Sequence, residues 1–304
     1  MNQYISITGA TGFVGKNLVS YLNSENILTH SVSRAELARI ISFENSETII
    51  HLAGKAHDLK KTSNADEYYQ VNFELTKKLY DAFLRSDAKK FIFVSSVKAA
   101  ADVVEDILDE HTKPNPQTHY GKSKLMAEEY IQNQPLPIGK SFYILRPCMI
   151  HGPGNKGNLN LLYQFVKKGI PYPLAAFQNK RSFLSVDNLC FLIKAIITDN
   201  NVPSGIYNVA DDQPLSTTMV VNVLARSMGK KPSFWNISKS LINKVARIGN
   251  LLRLPINTER LNKLTENYVV SNFKIKQALG VTLPLSAEEG LVKTANSFAH
   301  SKKK

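Results

Sequence analysis

Cysteine is scarce in this chain, with only Cys148 and Cys190 among 304 residues. Two thiols cannot build a disulfide framework or a multi-cysteine zinc site, so free thiols in a reducing compartment are expected. No run of 18 apolar residues occurs, and no transmembrane helix is expected. The opening Met1-Asn2-Gln3-Tyr4 lacks the basic start and long apolar stretch of a secretory signal, which points to a cytoplasmic protein. No His, Cys, Asp or Glu spacing suggests a metal. Acidic residues are scarce in one half only. Residues 1–150 carry 17 basic and 17 acidic side chains, whereas residues 151–304 carry 21 and 8. The net charge of +13 therefore belongs to the second half. It suggests an anionic partner: nucleic acid, a membrane surface or a phosphorylated substrate. No helix-turn-helix, RNA-binding or zinc-finger signature accompanies it, so nucleic acid is not expected.

What is present is ordinary for a folded chain: 43% hydrophobic and 21% charged residues. Apolar runs at 4–8, 27–33, 48–52, 90–95 and 141–145 read as short buried strands. Helical patterns near 13–23, 34–44, 66–86 and 120–133 separate them. Such alternation predicts an α/β fold with a parallel sheet covered on both faces. The expected division is a dinucleotide-binding part at 1–150, with 181–200 returning to it, and a mainly substrate-binding part at 151–304. Residues 238–254 are amphipathic, with Leu241, Val245, Ile248 and Leu252 on one side. Packing of that side on the core is the first expectation, and a membrane-surface helix the second.

The first strand runs into Thr8-Gly9-Ala10-Thr11-Gly12-Phe13-Val14-Gly15 and then a helix. Glycines at this spacing let backbone approach a pyrophosphate and aim helix N–H groups at it, while Gly15 allows close helix–strand packing. After the second strand stand Ser33 and Arg34. A hydroxyl and a cation there favour NADP(H), with NAD(H) the alternative, because an acidic residue would repel a 2′-phosphate.

Tyr120 and Lys124 lie four apart on one helical face. That spacing lets an ammonium lower the phenol pKa and lets the phenol exchange a proton with a substrate oxygen. About 25 residues earlier a strand ends in Ser95-Ser96, at the sheet edge where open parallel sheets bind ligands. His51 ends a buried strand and reads as structural. His57, Asp58 and His119 lie near the expected site. Asp187 reads as an aid to Arg181 or a helix cap, Asp211-Asp212 as a turn, and Asp109-Glu110 as a solvated loop.

Taken in order, these pieces resemble the extended short-chain dehydrogenase/reductase family of sugar-nucleotide epimerases, dehydratases and reductases. Further matches are His51-Leu52-Ala53-Gly54, Val71-Asn72, Leu145-Arg146-Pro147, Gly152-Pro153-Gly154 and Arg181 with Val186-Asp187. The C-terminal matches are Lys274-Ile275, Leu279-Gly280 and Glu289-Gly290-Leu291. The resemblance implies a Rossmann-type doubly wound sheet with a smaller, mixed C-terminal substrate domain. It makes Ser96 rather than Ser95 the active hydroxyl, Tyr120 the proton donor or acceptor, and Lys124 its partner. It sets the amides of Phe13 and Val14 on the pyrophosphate, and Leu52, Ala53 and Gly54 along the cofactor. Asn158, Arg181 and Arg260 match positions that hold the substrate diphosphate or nucleotide. A homodimer is common in the family.

Dehydratases of this family carry Asp-Glu directly after the active Ser/Thr, where this chain has Val97-Lys98, so water elimination is not expected. The segments 152–158, 169–174 and 179–182 are similar to bacterial UDP-4-keto-6-deoxy-N-acetylhexosamine 4-reductases of surface-polysaccharide synthesis. The resemblance thus implies a UDP-linked sugar substrate. A UDP-hexose or UDP-N-acetylhexosamine 4-epimerase is the alternative. A dinucleotide-sensing protein without catalysis is a third reading, which loss of Ser96, Tyr120 or Lys124 would have favoured.

Overall fold

The computed structural model describes residues 4–39, 42–55, 64–155, 157–251 and 257–300. In chain order, β1 (Tyr4–Thr8) leads to α1 (Phe13–Ser24), and β2 (Thr29–Val32) to a short α2 (Arg34–Leu37). After β3 (Ser46–His51) comes a helical arm of α3 (Ala65–Tyr68), a π-helical stretch (Tyr69–Glu74) and α4 (Leu75–Arg85). Then follow β4 (Lys90–Val94), a 3-10 turn (Val97–Ala99), β5 (Ile107–Leu108), α5 (His119–Asn133), β6 (Ser141–Pro147) and β7 (Met149–His151). The second half holds α6 (Asn158–Lys167), β8 (Phe183–Ser185), α7 (Val186–Thr198), β9 (Gly205–Val209) and α8 (Thr217–Ser227). It continues with α9 (Lys239–Leu251), α10 (Thr258–Thr265), β10 (Val269–Val270), α11 (Phe273–Leu279) and α12 (Ala287–His300).

The main sheet has the order β2-β1-β3-β4-β6-β9, and each neighbouring pair is parallel. This is the doubly wound α/β fold that the strand–helix alternation predicts. The order reverses between β1 and β3, and such a switch point opens a ligand crevice at the C-terminal strand edge. Registers pair Thr8 with Val32 and His51, His51 with Phe93, and Val94 with Leu145. The strands therefore end level, and Gly9, Leu52 and Ser96 leave one common edge.

One core lies under α1 and α7, where Ile5, Ile7, Leu18, Leu22, Leu189 and Ile193 interlock. A second lies under α4 and α5, built on Phe83, Phe91, Tyr80 and Ile131. A third joins α6, α8 and α12 through Tyr163, Leu224, Leu291 and Phe298. The buried Lys90 and the partly buried Lys140 close helix ends, as cations near C-terminal carbonyls do. Lys90 Nζ donates to the carbonyls of Ile196, Ile197 and Asp199 at the end of α7, and Lys140 Nζ to those of Phe83, Ser86 and Ala88 at the end of α4.

Three local expectations change. The helix near 34–44 stops at Leu37, because Phe43 turns into the core and Asn45 takes a left-handed conformation (φ 59°) that redirects the chain into β3. Residues 205–209, beyond the expected division at 150 and its return at 181–200, supply the sixth strand. On α9, Ile242 and Ala246 face the core, packed with Leu261, while Leu241, Val245 and Ile248 are exposed. The expected core stripe is thus the outer one. Leu252 and the terminal Ser301–Lys304 lie outside the described residues.

Candidate active site

The site is built on the level strand edge. Gly9 adopts φ +71°, a left-handed conformation that favours glycine, and a Cβ there would meet the amide nitrogen of Ala53 at 2.6 Å. A Cβ on Gly15 would lie 2.3 Å from the Gly9 carbonyl oxygen and 2.6 Å from Ala10 Cα. Backbone alone fills these spaces, so α1 sits hard against the turn. Gly12 caps α1 with no side-chain hydrogen bond, and no acidic residue occupies the first turn. The N–H groups of Phe13, Val14 and Gly15 therefore open toward an anion, where the helix dipole adds to them. Thr8 binds the exit of β3: its carbonyl accepts from Leu52 N at 3.2 Å and its hydroxyl from Ala53 N at 3.3 Å. A cradle closed to a Cβ at Gly9 and Gly15 and lined with free helix amides fits a dinucleotide pyrophosphate.

Ser33 and Arg34 follow β2 as expected, but Ser33 also caps α2. Its hydroxyl accepts from Glu36 N at 3.2 Å, and its amide donates to Glu36 Oε2 at 2.7 Å. These bonds, with His30, hold the Glu36 carboxyl down to about pKa 2. An ionised carboxylate thus stands beside Ser33, next to the exposed Arg34.

Ser96 and Tyr120 come together across the β4 exit. Gly121 allows this, because a Cβ there would lie 2.4 Å from the Lys98 carbonyl oxygen. Thr118 caps α5, accepting from Gly121 N at 3.2 Å. Tyr120 is partly buried, and its hydroxyl is hydrogen-bonded with Ser96. Burial pushes its pKa up, and the Ser96 bond opposes that rise. The expected lowering by Lys124 is not seen. Lys124 Nζ instead donates to the Val94 carbonyl at 3.0 Å and lies 4.7 Å from the centroid of the Phe93 ring. Burial pulls its pKa from 10.5 to about 8, against the upward influence of Glu128. In this state the phenol is an acid holding its proton.

Val97 is buried in the core, and Lys98 Nζ donates to the Asp102 carbonyl at 2.8 Å over the Tyr268 ring. Neither is an acid or base at the site. His51 is structural, as expected. It lies between the hydroxyls of Thr8 and Thr76, 2.8 Å from each, with burial lowering its pKa to about 3. His119 meets Tyr69 Oη at 3.1 Å. His57 and Asp58 lie outside the described residues.

Asn158 is the first residue of α6, whose N-terminus has no side-chain cap. Arg181 pairs through its backbone with Leu215 and Tyr268, and its guanidinium is 3.8 Å from Glu266. Asp187 bonds Lys293 at 2.5 Å. Arg260 falls in α10, which packs beside Asn179 through the Leu264 carbonyl, and its side chain lies outside the described residues. Asp211, expected in a turn, is buried and accepts from Ser185 N and Asn188 Nδ2. Glu110, expected in solvent, accepts from Asn208 N at 2.7 Å. Cys148 and Cys190 are free and buried, and no metal-holding cluster occurs among the described residues.

Residues 5–210 match the profile of the NAD dependent epimerase/dehydratase family. The chain belongs to that family. It is similar to a UDP-glucose 4-epimerase of Vibrio cholerae, 30% identical over 98% of this chain and 96% of the relative. It is also similar to the N-acetyl-alpha-D-glucosaminyl-diphospho-ditrans,octacis-undecaprenol 4-epimerase of Escherichia coli O157:H7. That relative is 28% identical over 100% of this chain and 98% of its own. Among solved structures, the UDP-N-acetylglucosamine 4-epimerase of Bacillus cereus superposes with a TM-score of 0.76 at 19% identity, covering 99% of this chain and 98% of that one. The chain is an enzyme of the NAD dependent epimerase/dehydratase family, which uses a nicotinamide dinucleotide.

Sequence reasoning missed the buried support of this epimerase/dehydratase site. Glu128 is fully buried and accepts Arg146 Nε at 3.0 Å, Arg146 Nη2 at 2.5 Å and the Ser95 hydroxyl. Ser95 is thereby committed to Glu128 and Ser96 to Tyr120. The signal was the continued spacing of Tyr120, Lys124 and Glu128, one turn apart on α5. The Val71-Asn72 motif alone does not show what Asn72 binds. Its side chain bonds Lys55 N at 2.8 Å, Lys55 O at 3.1 Å and Ser123 Oγ at 3.1 Å, joining the loop after β3 to α5.

Proposed function

We propose that this enzyme carries out redox chemistry at C4 of a UDP-linked sugar, with Ser96, Tyr120 and Lys124 as its catalytic residues. One observation carries this reading. The Tyr120 hydroxyl is hydrogen-bonded with Ser96 at the sheet edge, one helical turn from Lys124, whose buried ammonium stands beside Gly54. In this proposal residues 1–150 with 181–200 serve mainly the cofactor, and Gly9, Gly12, Phe13, Val14, Gly15, Leu52, Ala53 and Gly54 hold it. Asn158, Arg181 and Arg260 hold the nucleotide diphosphate.

When bound, the dinucleotide supplies a hydride to the sugar C4 carbonyl. Ser96 Oγ and Tyr120 Oη hydrogen-bond the carbonyl oxygen, stabilising the charge that develops there. Tyr120 gives its proton to that oxygen, and the Lys124 ammonium favours the resulting phenolate. Val97 and Lys98 offer no acid–base pair for water elimination. The finer proposal is therefore reduction of a UDP-4-keto-6-deoxy-N-acetylhexosamine with NADPH in surface-polysaccharide synthesis. A 4-epimerase is the second reading, favoured by the two 4-epimerases matched over nearly their full length. Arg34 supports a 2′-phosphate and the Glu36 carboxylate opposes it. Arg34→Glu is expected to weaken NADPH binding far more than NADH, and equal losses would remove the 2′-phosphate reading.

The deciding assay follows NADPH oxidation with UDP-4-keto-6-deoxy-N-acetylglucosamine, beside epimerisation of UDP-glucose and UDP-N-acetylglucosamine. Stoichiometric NADPH consumption is expected. Tightly retained NAD with epimerisation and no NADPH consumption would replace the reductase by the epimerase.

A further inference from the structure

The two sides of α9 are unlike. Ile242 and Ala246 are buried against Leu261 of α10, with Leu174 and Phe177 alongside. Leu241, Val245 and Ile248 recur at i, i+4 and i+7, a second apolar stripe turned about 100° from the first. They are 54%, 46% and 53% exposed, and Leu251 at the helix end is 83% exposed. Lys244 and Arg247, both exposed, flank this stripe. No aspartate or glutamate occurs between Asp212 and Glu259, whereas seven lysines and arginines do.

This charge pattern selects the occupant. A two-fold contact between copies would lay the patch on itself and oppose like charges. A bilayer with anionic headgroups offers apolar and anionic surface together, the combination an interfacial amphipathic helix uses. No described helix is long and apolar enough to cross a membrane, so the contact is with the surface.

We propose that α9 docks this enzyme on an anionic phospholipid bilayer, with Leu241, Val245 and Ile248 in the headgroup–acyl boundary and Lys244 and Arg247 on lipid phosphates. α10 contacts both α9, through Leu261, and the 179–181 segment, through the Leu264 carbonyl that Asn179 Nδ2 reaches. Docking does not depend on which sugar is the substrate.

Vesicle flotation of the full chain tests this. Phosphatidylcholine vesicles containing phosphatidylglycerol are compared with phosphatidylcholine alone. Flotation with the anionic vesicles, reduced by salt, is expected. Lys244→Gln with Arg247→Gln lowers the partition coefficient roughly 30-fold, from two cations near the surface. Leu241→Ser with Val245→Ser and Ile248→Ser lowers it by at least about 100-fold, from the lost apolar burial. Both variants change exposed positions and are expected to keep the parent melting temperature. Absence of flotation, equal flotation with neutral vesicles, or parent-like flotation of the triple variant overturns the proposal. So does sedimentation of the parent as a dimer that the triple variant dissociates.

Discussion

Gly15→Ala tests how tightly the cofactor cradle is built. The added Cβ would sit 2.3 Å from the Gly9 carbonyl oxygen and 2.6 Å from Ala10 Cα, both backbone atoms that no rotamer change can move. Relief requires α1 to shift by roughly 1 Å, and overpacking of this kind costs about 1–3 kcal/mol. Alanine returns about 1 kcal/mol through helix propensity. Taken at the upper part of that range, because the 2.3 Å contact is with backbone, the net loss is about 1–2 kcal/mol, which lowers Tm by roughly 2–3 °C in a chain of this size. The shift also draws the N–H groups of Phe13, Val14 and Gly15 off the pyrophosphate. Loss of one charge-assisted hydrogen bond, about 1.5–3 kcal/mol, weakens dinucleotide binding at least about tenfold. Gly12→Ala is the milder comparison, because its Cβ meets only the Gly9 carbonyl oxygen, at 3.2 Å, so Tm should fall less than in Gly15→Ala. Calorimetry and cofactor titration read both quantities. A Gly15→Ala protein with parent Tm and parent affinity would refute the close-packed cradle.

Three further outcomes are expected. Glu128→Gln leaves the buried Arg146 guanidinium without its anion and should cost about 3–5 kcal/mol in chemical denaturation. Lys124 must be charged to favour the Tyr120 phenolate, so kcat/KM should fall as pH rises through about 8, where the ammonium loses its proton. The same lowered pKa predicts a contribution that raises folding stability between pH 8 and 10.5. There the unfolded chain keeps a proton that the folded one has released.

The five strand-like runs of the first half and the glycine turn were legible because period and punctuation are local. So were Tyr120 and Lys124, whose spacing puts them on one face. The sixth strand was not legible, since Gly205–Val209 is short and gains its place only by pairing with β6. The helix at 34 was overextended because apolar spacing does not show where Phe43 will be buried. The face of α9 was misread for a related reason. Both stripes are apolar, and only the position of Leu261 selects Ile242 and Ala246 for burial. Ser95 and Ser96 are adjacent in sequence and part only when Glu128 and Tyr120 take opposite partners in three dimensions. The raised phenol pKa was likewise hidden, because burial outweighs the Ser96 bond and the neighbouring ammonium turns toward Val94.

Turnover of Tyr120→Phe is the most direct measurement of the proposed chemistry. The substitution removes one oxygen and leaves the ring packed 6.2 Å from Tyr68. Single-turnover reduction of UDP-4-keto-6-deoxy-N-acetylglucosamine should slow by about 10²–10⁴-fold, the usual contribution of a positioned proton donor, while dinucleotide affinity stays near that of the parent. A variant that binds cofactor and reduces the sugar at the parent rate would contradict the assignment of Tyr120 as the proton donor.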